Sequence, residues 1–307
     1  MSVRSAPHFH NEKAAYAYVE ARVWPEGPVC PHCGGFARIY ELKGKSTRIG
    51  VRKCGDCRKP FTVKIGTIFE ASHVPLRIWL QAMFLMASSK KGISANQLHR
   101  TLGVTLKTAW FMAHRIREAM RDGSLAPFGG GGGFVESDET YILREPGEPV
   151  RHGFQHKLKV LSLIDRSTGR ARSTMVDYVN TKIVGQIVAA NLSREAVLLT
   201  DDALHYRPIG AKFAGHGITN HKAGEYVSRL DPRVHTNTVE GFFSIFKRGM
   251  RGVYQHCAKR HLHRYLAEFD FRYSNRVALG VNDVARADTL LAGVVRKRLT
   301  YQRTCGA

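Results

Sequence analysis

The 307-residue chain carries 47 Lys+Arg against 25 Asp+Glu, a formal net charge of +22. So large an excess seeks polyanions, which puts nucleic acid first among partners, ahead of an acidic protein or a membrane surface. With 43% hydrophobic and 9% aromatic residues, the chain can bury the core of one large or two moderate domains, which excludes a disordered basic tail. The longest strongly apolar run, around Ile78 to Ala87, contains Gln81 and is too short for a bilayer, and Met1 to Glu12 has no signal-peptide core. The expectation is a soluble, intracellular protein. Six cysteines are too few for a disulfide scaffold at this length.

In chain order, Asn11 to Trp24 has Ala, Tyr and Val at helical spacing and is closed by Trp24-Pro25-Glu26-Gly27-Pro28, which predicts a first helix. Two Cys-x-x-Cys knuckles follow, Cys30/Cys33 and Cys54/Cys57, separated by twenty residues. That spacing brings four thiolates to one tetrahedral zinc, and with no position left for water the ion is structural. Arg52, Lys53, Arg58 and Lys59 surround the second knuckle, as a DNA contact or a solvated face. Leu76, Trp79, Leu80, Met83, Phe84 and Ala87 then mark an amphipathic helix, and two more run from Ser94 to Leu102 and from Thr105 to Arg121 across a turn at Gly103. Helix, glycine turn, helix is the helix-turn-helix pattern, whose second helix enters the major groove. Lys107, His114, Arg115 and Arg121 lie off its apolar stripe and are the candidate DNA contacts; an ordinary helical hairpin with a solvated cationic face is the alternative.

Five consecutive glycines, Gly129 to Gly133, read as a flexible hinge and place a domain boundary there. Beyond it, Phe134 to Ile142, Lys159 to Asp165 and Arg172 to Tyr178 are strand-like, Thr181 to Leu192 is helical, and Ala196 to Thr200 is a short apolar strand. Three strands, a helix and another strand is the order of an RNase H-like core: α/β, a mixed sheet flanked by helices. Asp138 falls within the first strand, and Asp201 follows a buried strand at the carboxyl end where α/β sheets place their sites. Glu240 opens an amphipathic run in which Asn237, Glu240, Ser244 and Lys247 share one helix face. Three carboxylates are what two hard divalent ions require to clamp the attacking and leaving oxygens of a phosphoryl transfer. Each alone would more often be a turn or cap residue.

The motifs together resemble a known family. Trp24-Pro25-x-Gly27-Pro28-x-Cys30-Pro31-x-Cys33-Gly34, Cys54-x-x-Cys57 and Gly66-Thr67-Ile68-Phe69 are similar to the zinc-ribbon region of bacterial insertion-sequence transposases of the ISXO-like group. Asp138-Glu139-Thr140-Tyr141, Thr200-Asp201 and His235-x-Asn237-x-x-Glu240-Gly241-Phe242-x-Ser244-x-x-Lys247-Arg248-Gly249 resemble that group's DDE catalytic core. The resemblance runs over roughly residues 15 to 276. It implies an enzyme that binds the inverted-repeat ends of an insertion sequence, cleaves them and joins the 3′-hydroxyl ends to target DNA. Asp138, Asp201 and Glu240 would hold two Mg²⁺ (or Mn²⁺) ions, and Lys247 a phosphate near the cut. Some members carry Asn in the third position, so Asn237 competes with Glu240. The implied partners are double-stranded DNA and further copies of the chain on it, in the bacterial cytoplasm at the nucleoid.

This chain departs from the group after Tyr141, where Ile142-Leu143-Arg144 and Glu145-Pro146-Gly147-Glu148-Pro149 replace a glycine-rich turn. Glu136, on the strand face of Asp138, and Asp202, next to Asp201, are candidates for a substitute or supporting ligand, and His221 is either near the metals or an ordinary core or surface histidine. The basic stretch from Lys247 to Arg276, including Arg248 and Arg251, is a candidate DNA channel, while Cys257 and Cys305 are expected as free thiols. The organisation read from this is a first helix and zinc ribbon at 1–64, a helix-turn-helix region at 65–125, a glycine-rich linker at 126–133, a catalytic domain at 134–280 and a basic tail at 281–307. A regulator that binds without cutting, or a metal-dependent nuclease without strand transfer, are the rival functions.

Overall fold

The computed structural model describes residues 5–123, 126–144, 147, 149–150 and 154–299. Cys305 and the loop residues Glu145, Pro146 and Glu148 lie outside them. The chain forms two compact units: residues 1–89, 93–121 and 281–307 make the first, and 90–92 with 122–280 the second.

In the first unit, α1 (Glu12–Val23) starts where the Asn11 side chain accepts from the Ala14 N–H, a standard N-cap. The ribbon follows as three short antiparallel strands, β1 (Ile39–Glu41), β2 (Arg52–Cys54) and β3 (Pro60–Phe61), around Cys30, Cys54 and Phe61. Next come α2 (Leu76–Ser88), α3 (Ala95–Leu102) and α4 (Leu106–Met120). Ser94 and Thr105 cap α3 and α4 through their hydroxyls, and Gly103 ends α3 in the left-handed conformation, where a Cβ would be strained. These helices lie within a residue of the sequence expectation.

The C-terminal segment corrects the sequence reading. Rather than a basic tail, Asp283–Ala292 forms a helix that belongs to the first unit. Its Asp288 accepts from Tyr18 Oη at 2.5 Å and Arg22 Nε at 2.6 Å, both on α1, so residues 270 positions apart in sequence close one helical core.

The second unit is a five-stranded mixed sheet with helices on both faces. Its strands are β4 (Phe134–Arg144), β5 (Lys157–Asp165), β6 (Ala171–Val176), β7 (Val197–Asp201) and β8 (Gly215–Thr219), in the order β6-β5-β4-β7-β8. The first three are antiparallel neighbours, and β7 and β8 run parallel to β4, which is the RNase H-like arrangement anticipated from the strand order. One face packs on α5 (Thr181–Asn191) and the short α6 (Arg207–Gly210) through Val135, Leu161, Leu163, Val184, Val188 and Leu198. The other packs on α7 (Asn237–Gly249) and α8 (Leu262–Ser274) through Ile142, Val160, Val239, Phe242, Phe246 and Phe269. Completing the set, the Asp283–Ala292 helix is α9.

β8 was not legible as a strand because Gly215 and Gly217 break any apolar pattern. A Cβ on Gly217 would stand 2.7 Å from both Leu199 Cδ2 and Val234 Cγ1, so the position admits no side chain.

The glycine run corrects a second expectation. Instead of a hinge it is a built loop of the second unit, a tight turn over Gly130–Gly132 in which Gly131 and Gly132 take positive φ. Phe128 before it is buried and pairs with Leu192, and the Gly131 N–H donates to Glu195 Oε2 at 2.8 Å. Gly129 has φ +73°, and a Cβ there would lie 2.4 Å from the Ala196 Cβ. At this position the glycine provides close approach rather than freedom.

Candidate active site and metal centre

Alternation along β4 decides which carboxylates can meet α7. Glu136 contacts α7 and Ile142 lies in the core beneath it, so Asp138, between them in the period-two pattern, shares that face. β4 pairs with β7 as Phe134↔Val197, Val135↔Leu198 and Glu136↔Leu199. Extending this parallel register by two residues sets Asp138 beside Asp201, on strands about 4.8 Å apart.

Electrostatics reports the same closeness. Burial pushes the Asp138 carboxyl well above the usual carboxylate range, and the negative charges of Glu139, Asp201 and Glu240 push it further, against a hydrogen bond from the Glu139 N–H. Asp201 is raised too, first by burial; the Ala203 N–H at 3.1 Å and the His205 ring oppose the shift while Glu139 and Asp202 add to it.

Glu240 stands in the first turn of α7. The Thr236 hydroxyl donates to its Oε1 at 3.0 Å, and His221 Nδ1 lies 3.5 Å from the same oxygen. His221 Nε2 is in turn 3.1 Å from Thr236 Oγ1 and 3.2 Å from Thr219 Oγ1. The last residue of β8, a histidine beyond it and the residue before α7 therefore converge on one carboxylate. Asn237 is exposed at the first position of α7. Lys247, two turns past Glu240, is half-buried with Nζ 6.0 Å from the centre of the Phe243 ring.

Glu136 commits both its oxygens to the protein. Fully buried, it accepts from Arg166 Nε at 2.5 Å through Oε1 and from the Val239 N–H at 2.8 Å through Oε2. Thr236, the residue capping α7, bonds no helix N–H with its side chain; Glu136 does this from the neighbouring strand. Arg166 also donates to the carbonyls of Arg233 and of His235, the latter at 2.8 Å. Sequence reasoning found Glu136 but not this role, and it missed Arg166; the one signal available was that Glu136 and Asp138 share a strand face. On the opposite face, Glu139 accepts from Tyr206 Oη at 2.6 Å and lies 3.2 Å from His205 Nε2, a contact that also raises the His205 pKa.

The four cysteines converge tightly. Their sulfur atoms all lie within 4.8 Å of one another, with Cys30–Cys57 and Cys33–Cys54 at 3.6 Å. A tetrahedral zinc with arms of about 2.3 Å needs sulfurs about 3.8 Å apart, so Cys30, Cys33, Cys54 and Cys57 fit a structural zinc. Among the described residues this is the one set of three or more such ligands brought together so closely. The Asp138, Asp201 and Glu240 carboxylates form the looser acidic cluster described above.

The candidate DNA contacts divide. Lys107 on α4 and Arg121 just past its end are exposed, whereas His114 and Arg115 are buried, which removes them from any groove-reading surface. Arg115 Nη1 donates to the carbonyls of Ile68 and Glu70, both at 2.8 Å, and His114 packs its ring 4.2 Å from that of Trp110. The helix is buried over most of its second half, from Met112 to Met120, so residues read as its polar face are enclosed. Arg52 pairs with Glu20 at 2.6 Å, while Lys53, Arg58 and Lys59 are exposed. Arg248 and Arg251 are exposed at the end of α7 and beyond it, Arg248 hydrogen-bonded to Ser244. Cys257 is buried. No helix of the described residues is long and apolar enough to cross a membrane.

Residues 10–60 match the family described as transposase zinc-ribbon domain, and residues 131–274 the ISXO2-like transposase domain. A protein of Halobacterium salinarum, described as an uncharacterized protein in transposable element ISH50, is 29% identical over 284 residues, 86% of this chain and 91% of its own length. A chain in the simian T-cell lymphotropic virus intasome solved with the PP2A regulatory subunit B56 gamma is 13% identical with a TM-score of 0.29. The match covers 56% of this chain and 63% of that one, a likeness too distant to argue from. With its zinc ribbon and its sheet domain each matched to transposase families, the chain belongs to the ISXO-like group of insertion-sequence transposases.

Proposed function

We propose that the protein is a DNA transposase that binds the inverted-repeat ends of its insertion sequence, cleaves them and joins the 3′-hydroxyl ends to target DNA. The observation that carries this reading is the acidic cluster: Asp138 and Asp201 abreast on parallel strands, and Glu240 on α7 close enough for its charge to bear on the buried Asp138 carboxyl. In a protein of net charge +22, carboxylates massed toward a phosphodiester repel it unless cations stand between.

Asp138, Asp201 and Glu240 are the residues that would hold Mg²⁺ or Mn²⁺. Bound there, two such ions supply Lewis-acid activation of the attacking oxygen and stabilise the leaving one. The chain's own part is positional. The sheet sets two carboxylates, the Thr236–His221 pair orients Glu240, and Lys247 on the same helix face offers a positive charge to a phosphate. Asn237, one turn earlier, is the competing third ligand. Lys107, Arg121, Arg248 and Arg251 remain as phosphate contacts, with the zinc ribbon and the α3–α4 hairpin as the end-finding module. Bringing two element ends together calls for at least two copies on DNA.

The test is metal-dependent cleavage of a labelled duplex carrying the sequence that flanks the coding region. Asp138→Ala, Asp201→Ala and Glu240→Ala should each abolish cutting while binding survives; an active triple variant refutes the site. Asn237→Ala against Glu240→Ala decides the third ligand. Joining of cut ends to a second DNA marks the transposase. Free ends with no joined product mark a nuclease, and binding without metal-dependent cutting marks an end-binding regulator.

A further inference from the structure

The segment from His221 to Thr236, between β8 and α7, is a hairpin rooted in the acidic cluster. Both roots touch Glu240: His221 Nδ1 at 3.5 Å and the Thr236 hydroxyl at 3.0 Å. Val227 bridges His235 in antiparallel fashion, and the Ser228 N–H donates to the Val234 carbonyl at 2.9 Å. A second bond, Val234 N–H to the Asp231 carbonyl at 2.9 Å, turns the tip. Side chains stiffen it further: the Arg229 N–H donates to Glu225 Oε1 at 3.1 Å, the Leu230 N–H to Ser228 Oγ at 3.3 Å and the Arg233 N–H to Asp231 Oδ1 at 2.9 Å. From outside, Arg166 grips the carbonyls of Arg233 and His235. The backbone is braced from tip to root.

What the brace holds out is apolar. Leu230 at the tip is 99% exposed, and Tyr226 and Val227 on the ascending arm are 57% and 39% exposed. A single exposed leucine is ordinary on a protein surface. Here it crowns a hydrogen-bonded projection with two further apolar side chains beneath it, beside the exposed Arg229, while the guanidinium of Arg233 is paired with Asp231 at 2.8 Å and braces the turn. A cation beside an apolar tip matches the two parts of a DNA end, its phosphates and its stacked bases. Proteins that unstack a base step do so by driving an apolar side chain into it while basic neighbours hold the backbone.

We propose that this hairpin is a DNA wedge: Leu230 inserts at the base step next to the phosphodiester held at the acidic cluster, and Arg229 holds a flanking phosphate. The inference rests on the reading of the protein as a DNA-cutting transposase and adds to it a substrate-distorting element. The wedge opens the terminal pair so that the strand to be cut reaches the carboxylates.

The test uses the full chain with its zinc and a duplex of the flanking sequence carrying 2-aminopurine, whose fluorescence rises on unstacking, at the end base pair. The wild-type protein should brighten the probe on binding. Leu230→Ala should bind without brightening it and cut the paired duplex on the order of tenfold more slowly, and a mismatched end pair should restore the rate because the unstacking is already done. Leu230→Met should keep both signals. Since Leu230 packs on nothing, its variants should melt with the wild type. Equal brightening by Leu230→Ala, or a rate loss that the mismatch does not relieve, overturns the wedge while leaving the transposase reading intact. A wild-type protein that neither binds nor cuts the duplex overturns the transposase reading and the wedge together.

Discussion

Replacing Glu136 tests whether the third carboxylate is placed by the sheet. Glu136→Ala would strip two partners at once, the partly buried Arg166 guanidinium, 18% exposed, and the Val239 N–H at the start of α7. Breaking one side of a buried ion pair costs about 3–5 kcal/mol, and the lost helix cap, about 1 kcal/mol by itself, lies within that figure because the same carboxylate serves both. For a folding unit of this size each 1 kcal/mol lowers the melting temperature by about 2–4 °C, so a fall of roughly 10 °C is expected. Glu136→Gln keeps an acceptor for one partner and should lose about half as much. The informative readout is the metal response. With α7 untethered, the metal concentration needed for half-maximal cleavage should rise in Glu136→Ala and recover partly in Glu136→Gln, at temperatures where both remain folded. Urea unfolding gives the first quantity and metal titration of duplex cleavage the second. A Glu136→Ala protein within 1 kcal/mol of wild type, or a destabilised one with an unchanged metal midpoint, would refute the coupling of cap to site.

Three further outcomes are expected. Cys54→Ser, or a strong chelator, should release one zinc per chain and unfold the ribbon, because structural zinc contributes on the order of 10 kcal/mol to three strands whose own apolar core is Phe61 and a few half-buried neighbours; elemental analysis and circular dichroism check this. Arg115→Ala should lower stability by a few kcal/mol by leaving the Ile68 and Glu70 carbonyls without their donor, whereas Lys107→Ala should spare stability and weaken DNA binding with a shallower salt dependence. Asp270, whose Oδ1 and Oδ2 accept from the Ser173 hydroxyl and N–H, is pushed by burial up to about 7. The folded state keeps that proton longer than the unfolded chain, so the contribution to stability is full below the ordinary carboxylate value near 4 and is lost as pH rises through about 7. Asp270→Asn should therefore match wild type at pH 4 and exceed it above pH 7 by up to about 4 kcal/mol; a difference independent of pH excludes this assignment.

Much of this was legible because it depends on short-range rules. The capped helices α3 and α4 follow from Ser94, Thr105 and Gly103, and the zinc cluster from spacing alone. What was not legible depends on what chain segments meet. His114 and Arg115 looked like surface residues by type, yet α4 is surrounded and Arg115 is drawn in by backbone carbonyls. The five glycines looked like a hinge by composition, yet at Gly129 glycine is demanded by the Ala196 Cβ beside it. α9 looked like a basic tail because nothing nearby in sequence shows that Asp288 meets Arg22.

The same distinction explains why Asn237 and Glu240 could not be told apart from sequence. Asp138 and Asp201 are fixed by strand register: moving either to the other face requires a one-residue slip that would turn Val135 and Leu198 out of the core. Asn237 and Glu240 are three residues apart on one helix, about 4.5 Å along its axis, so pattern alone offers both to the same face. What separates them is tertiary. The Val239 N–H bond to Glu136 fixes α7 against β4, and in that setting Glu240 reaches Thr236 and His221 while Asn237 is left exposed. The carboxylate at 240 is thus held by chain segments that the sequence never places side by side, which makes it, in the proposed site, the carboxylate most sensitive to residues outside the cluster.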